Sequence, residues 1–181
     1  MKFQELIRKR QSCRAYKDMP VEREKLLECM EAARLSPSAC NSQPWSFVLV
    51  DDPAIAKKMP LTMLNGLLPI NRFTRDCNAY IVVLEEPANL ASRLGGRYLD
   101  QEFAPIDLGI ATQSICLAAT EQGLGSCIMG CFDETKMKEI LGIPFSKRIR
   151  LVIAIGYPTD TDPLRAKTRK PMEEILHINK W

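Results

Sequence analysis

Arg10, Ser12 and Arg14 stand on alternate residues of the stretch RKRQSCRAYKD, Arg8 to Asp18, which carries five basic side chains and one serine. Two guanidinium forks and a hydroxyl so spaced, at the end of a helix, can converge on one phosphate. Cations at a helix carboxyl end also complement the helix dipole, so the segment alone has two readings. A second basic cluster, RAKTRK, spans Arg165 to Lys170 and contributes Lys167 and Arg169. A nucleic-acid surface, one bound phosphate and a solvated face are the three explanations to weigh. A formal net charge of +3 over 181 residues argues against the first, because a nucleic-acid binder shows a domain-wide basic excess. Cations clustered locally in a near-neutral chain suit one small anion. Neither a G-x-G-x-x-G nor a Walker loop is present, so the two usual glycine-based phosphate cradles are absent.

A second chemical stretch is PSACNSQPW, Pro37 to Trp45. Proline near both ends stiffens it, and Asn41 and Gln43 each offer an amide donor and a carbonyl acceptor. Such a loop can read the edge of a flat heteroaromatic ring, or it can satisfy its own backbone after a helix. Other chemistries are excluded. The single histidine, His177, rules out a Ser-His-Asp triad and a multi-histidine metal site. Seven cysteines include no C-x-x-C pair, the closest spacing being Cys127 to Cys131, so no iron–sulfur, zinc or other metal site is expected. The thiols read as reduced and mostly buried. With no charged-then-apolar leader and no run of 18 apolar residues, a cytoplasmic protein with no membrane partner is expected.

These residues need a scaffold. Hydrophobic residues make up 46% of the chain, and a chain this long buries roughly 70% of its unfolded surface. The pattern predicts helices over Phe3–Arg10 and Glu22–Leu35, the latter stopped by Ser36-Pro37. SFVLVDD reads as a strand, AIAKKMPLTML as a helix interrupted near Pro60, and AYIVVLEE as a buried strand. Residues 87–106 have no clean period and read as a partly helical excursion. Asp107 to Gln122 is the most hydrophobic helix, with Asp107 as its cap and Gly123 or Gly125 as the left-handed residue after it. SCIMG is a short strand or turn, DETKMKEILGI a helix capped by Asp133, and RIRLVIAIGYP a strand ending at Pro158. Residues 159–181 form a polar tail. One domain over 1–181 is expected, an α/β or α+β sheet with helices on both sides.

RKRQSCRAYKDMPV, ARLSPSACNSQPWSFVLV, DLGIATQSICLAATEQGLGSCIMGCFD and RAKTRKPMEEI together resemble the FMN-dependent nitroreductase family, in the right order and over nearly the whole chain, Phe3 to Ile175. The resemblance implies an α+β, three-layer fold with a mixed, mainly antiparallel central sheet, and an intertwined homodimer. It implies FMN as cofactor. Arg10, Gln11 and Ser12 would lie near the phosphate, Arg14 near the pyrimidine edge of the ring, and Lys167 and Arg169 back at the phosphate. Pro37, Ser38, Ala39 and Asn41 would serve a flavin held mainly by the partner chain. Ile128, Met129 and Gly130 would lie over one flavin face, and Asn71 would bond the ring. Gln11 departs from the second basic residue or histidine of many members.

The implied activity is ping-pong transfer from NAD(P)H to small-molecule electron acceptors such as nitroaromatics and quinones. Arg14 would carry the electrostatic role at N1 and O2, with no side-chain acid or base. Phe103 or Met129 would rim the acceptor site, with broad acceptor use. Reductive dehalogenation or flavin fragmentation on the same scaffold is the rival, with Tyr98, Asp100 and Glu102 as its only suggestive group. A basic RNA-binding module is a further rival.

Overall fold

The β-branched run AYIVVL makes the strand that organises the rest. In the computed structural model, which describes residues 1–63 and 71–181, this strand is β2 (Ala79–Glu85), and its first six residues are buried. It lies between β1 (Trp45–Val50) and β4 (Arg148–Gly156), and β4 lies between β2 and β3 (Gly125–Met129), giving the order β1-β2-β4-β3. All three strand pairings are antiparallel. The expected mixed sheet is thus corrected among the described residues. Its parallel component shrinks to one isolated bridge, Ser12 to Ser126.

Period-two alternation along β2 and β4 divides the core. Ala79, Ile81, Val83, Ile153 and Ile155 face α2 (Arg23–Arg34) and α6 (Phe103–Glu121), meeting Leu26, Cys29, Leu108, Ala111 and Ile115. Tyr80, Val82, Leu84, Val152 and Ala154 face the opposite layer, with Met59, Met63, Met137 and Ile143. That layer includes α3 (Pro53–Ala56), α4 (Pro60–Met63) and α7 (Glu134–Leu141). The result is the expected α+β architecture with helices on both faces. α6 is apolar and long enough by composition to cross a membrane, but here it is the central helix of one layer.

Several boundaries differ from expectation. The first strand stops at Val50, because Asp51 pairs with Arg23 and Asp52 caps α3 through the Ala54 and Ile55 N–H groups. The break in the next helix precedes Pro60, which starts α4; the expected end, Leu64, lies outside the described residues. The excursion contains α5 (Leu90–Leu99), capped by Asn89. α6 begins at Phe103, not Asp107. Pro105 falls in its first turn, where the missing N–H has no intrahelical partner to lose. Asp133 caps α7 as expected. Gly123 takes the left-handed position, at φ 78°, while Gly125 opens β3.

Two glycines let the amino-terminal segment, with α1 (Phe3–Lys9) behind it, approach the sheet. A Cβ on Gly125 would stand 2.7 Å from Cys13 Sγ, and one on Gly156 would stand 2.8 Å from Tyr16 Cδ1. Gly125→Ala should therefore overpack the seam between β3 and residues 12–16. The expected loss is about 1–3 kcal/mol, a fall in Tm of roughly 3–10 °C. Combining it with Cys13→Gly, which removes both the Sγ and the Cβ that would stand 2.8 Å away, should recover part of the loss in thermal unfolding. Equal melting of the single and double variants would contradict the account.

Candidate functional site

Residues 12–17 run between the free edge of β3 and the exit of β4. The Cys13 N–H donates to Ser126 O at 2.9 Å, Lys17 N–H to Tyr157 O at 2.8 Å, and Thr159 N–H to Ala15 O at 3.1 Å. Tyr16 is buried over Gly156, and its hydroxyl donates to Cys13 O at 3.1 Å. Anchored in this way, the segment displays Arg10, Ser12 and Arg14 at the sheet edge.

The carboxyl-terminal tail is tied to the same segment. Asp162 Oδ2 accepts from the Arg14 N–H at 2.8 Å, and its other oxygen pairs with Arg165. The Arg165 guanidinium also donates to Ser12 O. Gln11 Nε2 lies 3.2 Å from Pro163 O and 3.3 Å from Asp162 O, and its Oε1 accepts from the Arg165 N–H at 3.1 Å. Lys167 Nζ donates to Arg10 O at 2.6 Å. Arg10, Gln11, Ser12, Arg14, Lys167 and Arg169 thereby line one cavity of about 250 Å³. The structure brings these six residues together, across more than 150 positions in the chain.

The electrostatics of the cavity are one-sided. Among the described residues Arg10, Arg14, Lys167 and Arg169 form no salt bridge, and Asp162 is occupied by Arg165. Desolvation lowers the pKa of the Lys167 amine below the usual lysine value, and the charges of Arg10, Arg169 and Arg165 lower it further. A bound anion would reverse that repulsion. Next to the Ser12 bridge, the Ser126 hydroxyl is buried with no hydrogen-bond partner. The cradle itself, rich in donors and cations, fits a phosphate monoester.

Beyond this cradle, Asn71 is buried and its Nδ2 donates to Cys131 O at 2.8 Å, fixing the chain just after β3. Ile128 is partly exposed and Gly130 exposed. The Met129 side chain is a correction: strand alternation turns it into the core, 4% exposed, among buried residues that include Met137. Only its backbone can face a ligand at the cavity. Phe103, the other residue expected at the acceptor rim, lies away from the phosphate cradle. It packs over Gly96 and lines a separate cavity of about 620 Å³ between α5, the start of α6 and the ends of β2 and β4. Tyr98 is 89% exposed. Asp100 is the left-handed residue closing α5, and Glu102 precedes α6. No shared target unites the three. His177 stacks on Trp181 in the exposed tail.

Pro37, Ser38, Ala39 and Asn41 are not brought to the cradle. Their loop packs against α5 and the start of α6, where the Ala39 N–H lies 3.1 Å from both oxygens of Asp107. The cradle lies beyond the other end of α6, where Thr120 lines a neighbouring cavity with Gln11 and Cys13. At 1.5 Å per residue, Asp107 and Thr120 are about 20 Å apart along the helix. The loop is also strained. Cys40, Asn41 and Gln43 have φ of 51°, 49° and 47°, a conformation asparagine tolerates but which costs other residues roughly 1–2 kcal/mol.

Three residues escaped the sequence reading. Asp162 sits in TDTDPL like any turn carboxylate, Asn89 precedes α5 like any cap, and Asp107 heads the apolar run as a cap would. Asp107 instead lies inside α6 and binds the loop.

The model of the Nitroreductase family matches residues 7–157 of this chain. A relative in Archaeoglobus fulgidus, named as an NADH dehydrogenase/NAD(P)H nitroreductase, is 33% identical over 97% of each chain. Among solved structures, a nitroreductase family protein from Clostridium novyi superposes with a TM-score of 0.77 at 30% identity, over 100% of this chain and 95% of that one. An FMN-dependent nitroreductase from Clostridium difficile gives 0.71 at 25% identity, over 97% and 98%.

The charge imbalance has a direct test. At matched ionic strength, inorganic phosphate should raise the Tm of the ligand-free protein above its value in chloride, by mass action on the folded state. Arg169→Gln should lose most of that increment, since Arg169 otherwise bonds only the neighbouring Thr168 carbonyl. Equal phosphate responses in wild type and variant would disprove the cradle.

Proposed function

The chain belongs to the nitroreductase family and is an oxidoreductase, and on that premise we propose that it is an FMN-dependent enzyme that passes electrons from NAD(P)H to quinones and nitroaromatics. One observation carries the reading: cations from both ends of the chain surround one cavity, and among the described residues Arg165 alone of them is paired with a carboxylate. FMN, when bound, supplies the two-electron chemistry between donor and acceptor. The phosphate would rest on Arg10, Ser12, Lys167 and Arg169, with Gln11 holding the tail in place. Arg14, tied through its N–H to Asp162, would set a positive charge at the pyrimidine edge of the ring, where reduction adds negative charge. The backbone of Ile128 to Gly130, fixed from behind by Asn71, would face the ring. Donor and acceptor would use one site in turn, and solvent would supply protons.

The same reading calls for a homodimer. The loop of Pro37, Ser38, Ala39 and Asn41 lies at the Asp107 end of α6, about 20 Å along the helix from its Thr120 end near the cradle, so it would complete the site of a second copy. The exposed apolar side chains of the tail, among them Met172, Ile175, Leu176, Ile178 and Trp181, together with Ile106 and Ile110 on α6, fit burial against that copy. Obligate interfaces commonly exceed roughly 2,000 Å². Seven unpaired thiols accord with a reducing, cytoplasmic setting.

Heat-released cofactor should chromatograph as FMN, and sedimentation should give a flavin-loaded dimer. Recovery of FAD, or a stable flavin-loaded monomer, would refute the proposal. Arg10→Ala should weaken FMN binding roughly 10- to 150-fold through loss of a charge-assisted bond. Arg14→Ala should slow flavin reduction in stopped-flow more than it weakens binding. Equal effects on affinity would show that the two arginines do not divide these roles.

A further inference from the structure

Asp107 is a carboxylate in the wrong place for packing. It lies inside the apolar helix α6, is 4% exposed, and has no salt bridge among the described residues. Burying such a group is costly unless hydrogen bonds compensate. The one protein donor it finds is the Ala39 N–H, shared by both its oxygens at 3.1 Å. Ala39 immediately precedes the left-handed Cys40 and Asn41.

On the other side of those residues stands Asn89. Its Oδ1 accepts from the Ser92 N–H at 2.9 Å and caps α5. Its Nδ2 donates to Cys40 O at 3.0 Å, and its own N–H donates to Ser42 Oγ at 2.8 Å. The loop is therefore gripped before and after its strained residues, from α6 by one carboxylate and from the start of α5 by one amide. Neither grip touches the basic cradle of the same chain. The strain is local, and both clamps are spent on a loop that has no ligand within its own subunit.

We propose that Asp107 and Asn89 are positioning residues that hold Ser38 to Gln43 in the shape a second copy's FMN requires, an inference that rests on the shared-site reading above. Relaxed toward extended backbone, the loop would no longer present Ser38, Ala39 and Asn41 together. Because Asn89 also caps α5, it ties the loop to the excursion of residues 87–106.

Three variants test this. Asp107→Leu suits an apolar helix and removes the acceptor. Asn89→Ser keeps a helix cap but removes the amide donor to Cys40. Asp52→Ala removes the α3 cap and serves as a purely structural control. The measurements are the FMN dissociation constant, the Tm of flavin-free protein, and amide exchange of residues 38–43 in flavin-free protein. Asp107→Leu should weaken FMN about 10- to 100-fold, with Tm unchanged or raised and exchange of 38–43 accelerated. Asp107→Asn, which keeps one acceptor oxygen, should recover part of the affinity. Asn89→Ser should weaken FMN with its Tm held. Asp52→Ala should lower Tm and leave FMN affinity alone. A wild type that binds FMN, with Asp107→Leu and Asn89→Ser binding it equally well, overturns this inference alone. A wild type that takes up no FMN overturns it together with the proposed function.

Discussion

Like charges do not gather unless something else holds them. Arg10, Arg14, Lys167 and Arg169 surround one cavity because their backbones are tied, not because their side chains attract. The ties are Asp162 to the Arg14 N–H, Gln11 to the 162–165 segment, and Lys167 to the Arg10 carbonyl. The nearby carboxylate is spent on a backbone donor and on Arg165, which leaves the other cations unneutralised. The geometry thus separates a structural carboxylate from a functional set of cations a few residues away. The depressed pKa of Lys167 records that arrangement.

The sheet gives those ties something rigid to act on. β3 is an edge strand, and an open edge offers unpaired donors and acceptors. Here the edge is covered by the chain's own amino-terminal segment, with Tyr16 seated on Gly156 and Cys13 against Gly125. One contact therefore blunts the edge and sets the height of the arginines above it. At the opposite end, α6 separates the cradle from the Pro37–Asn41 loop. The helix spaces the cradle from that loop, so the two do not meet within one chain.

The parts of this plan written in local periodicity were legible. The buried run of β2, the α2 helix and the Asp133 cap of α7 stand in the structure as the sequence pattern suggests. The start of α6 was not legible, because Gly95, Gly96 and Pro105 blur the period around Phe103, and a proline in a first turn leaves no local mark. Asp107 was misread for a related reason: a carboxylate before an apolar run looks like a cap whether or not the helix has already begun. The left-handed Cys40 and Gln43 break the expectation that such backbone belongs to glycine or asparagine. The convergence of the basic clusters depends on contacts spanning some 150 residues, which no local pattern encodes. It entered through the family resemblance, and the structure supplies its physical cause in Gln11 and Asp162.

That long span also orders events in time. Ribosomal synthesis runs from the amino terminus, so Arg10, Ser12 and Arg14 are made well before Asp162, Arg165 and Lys167. The contacts joining them bridge 148 to 157 positions. Contacts this distant close late, after the loop entropy of the intervening chain has been overcome. The sheet and both helical layers can condense on a nascent chain that as yet has no anion cradle. The cavity can therefore close only after residues 162–169 have been made, and a shorter product that still folds the core would lack it.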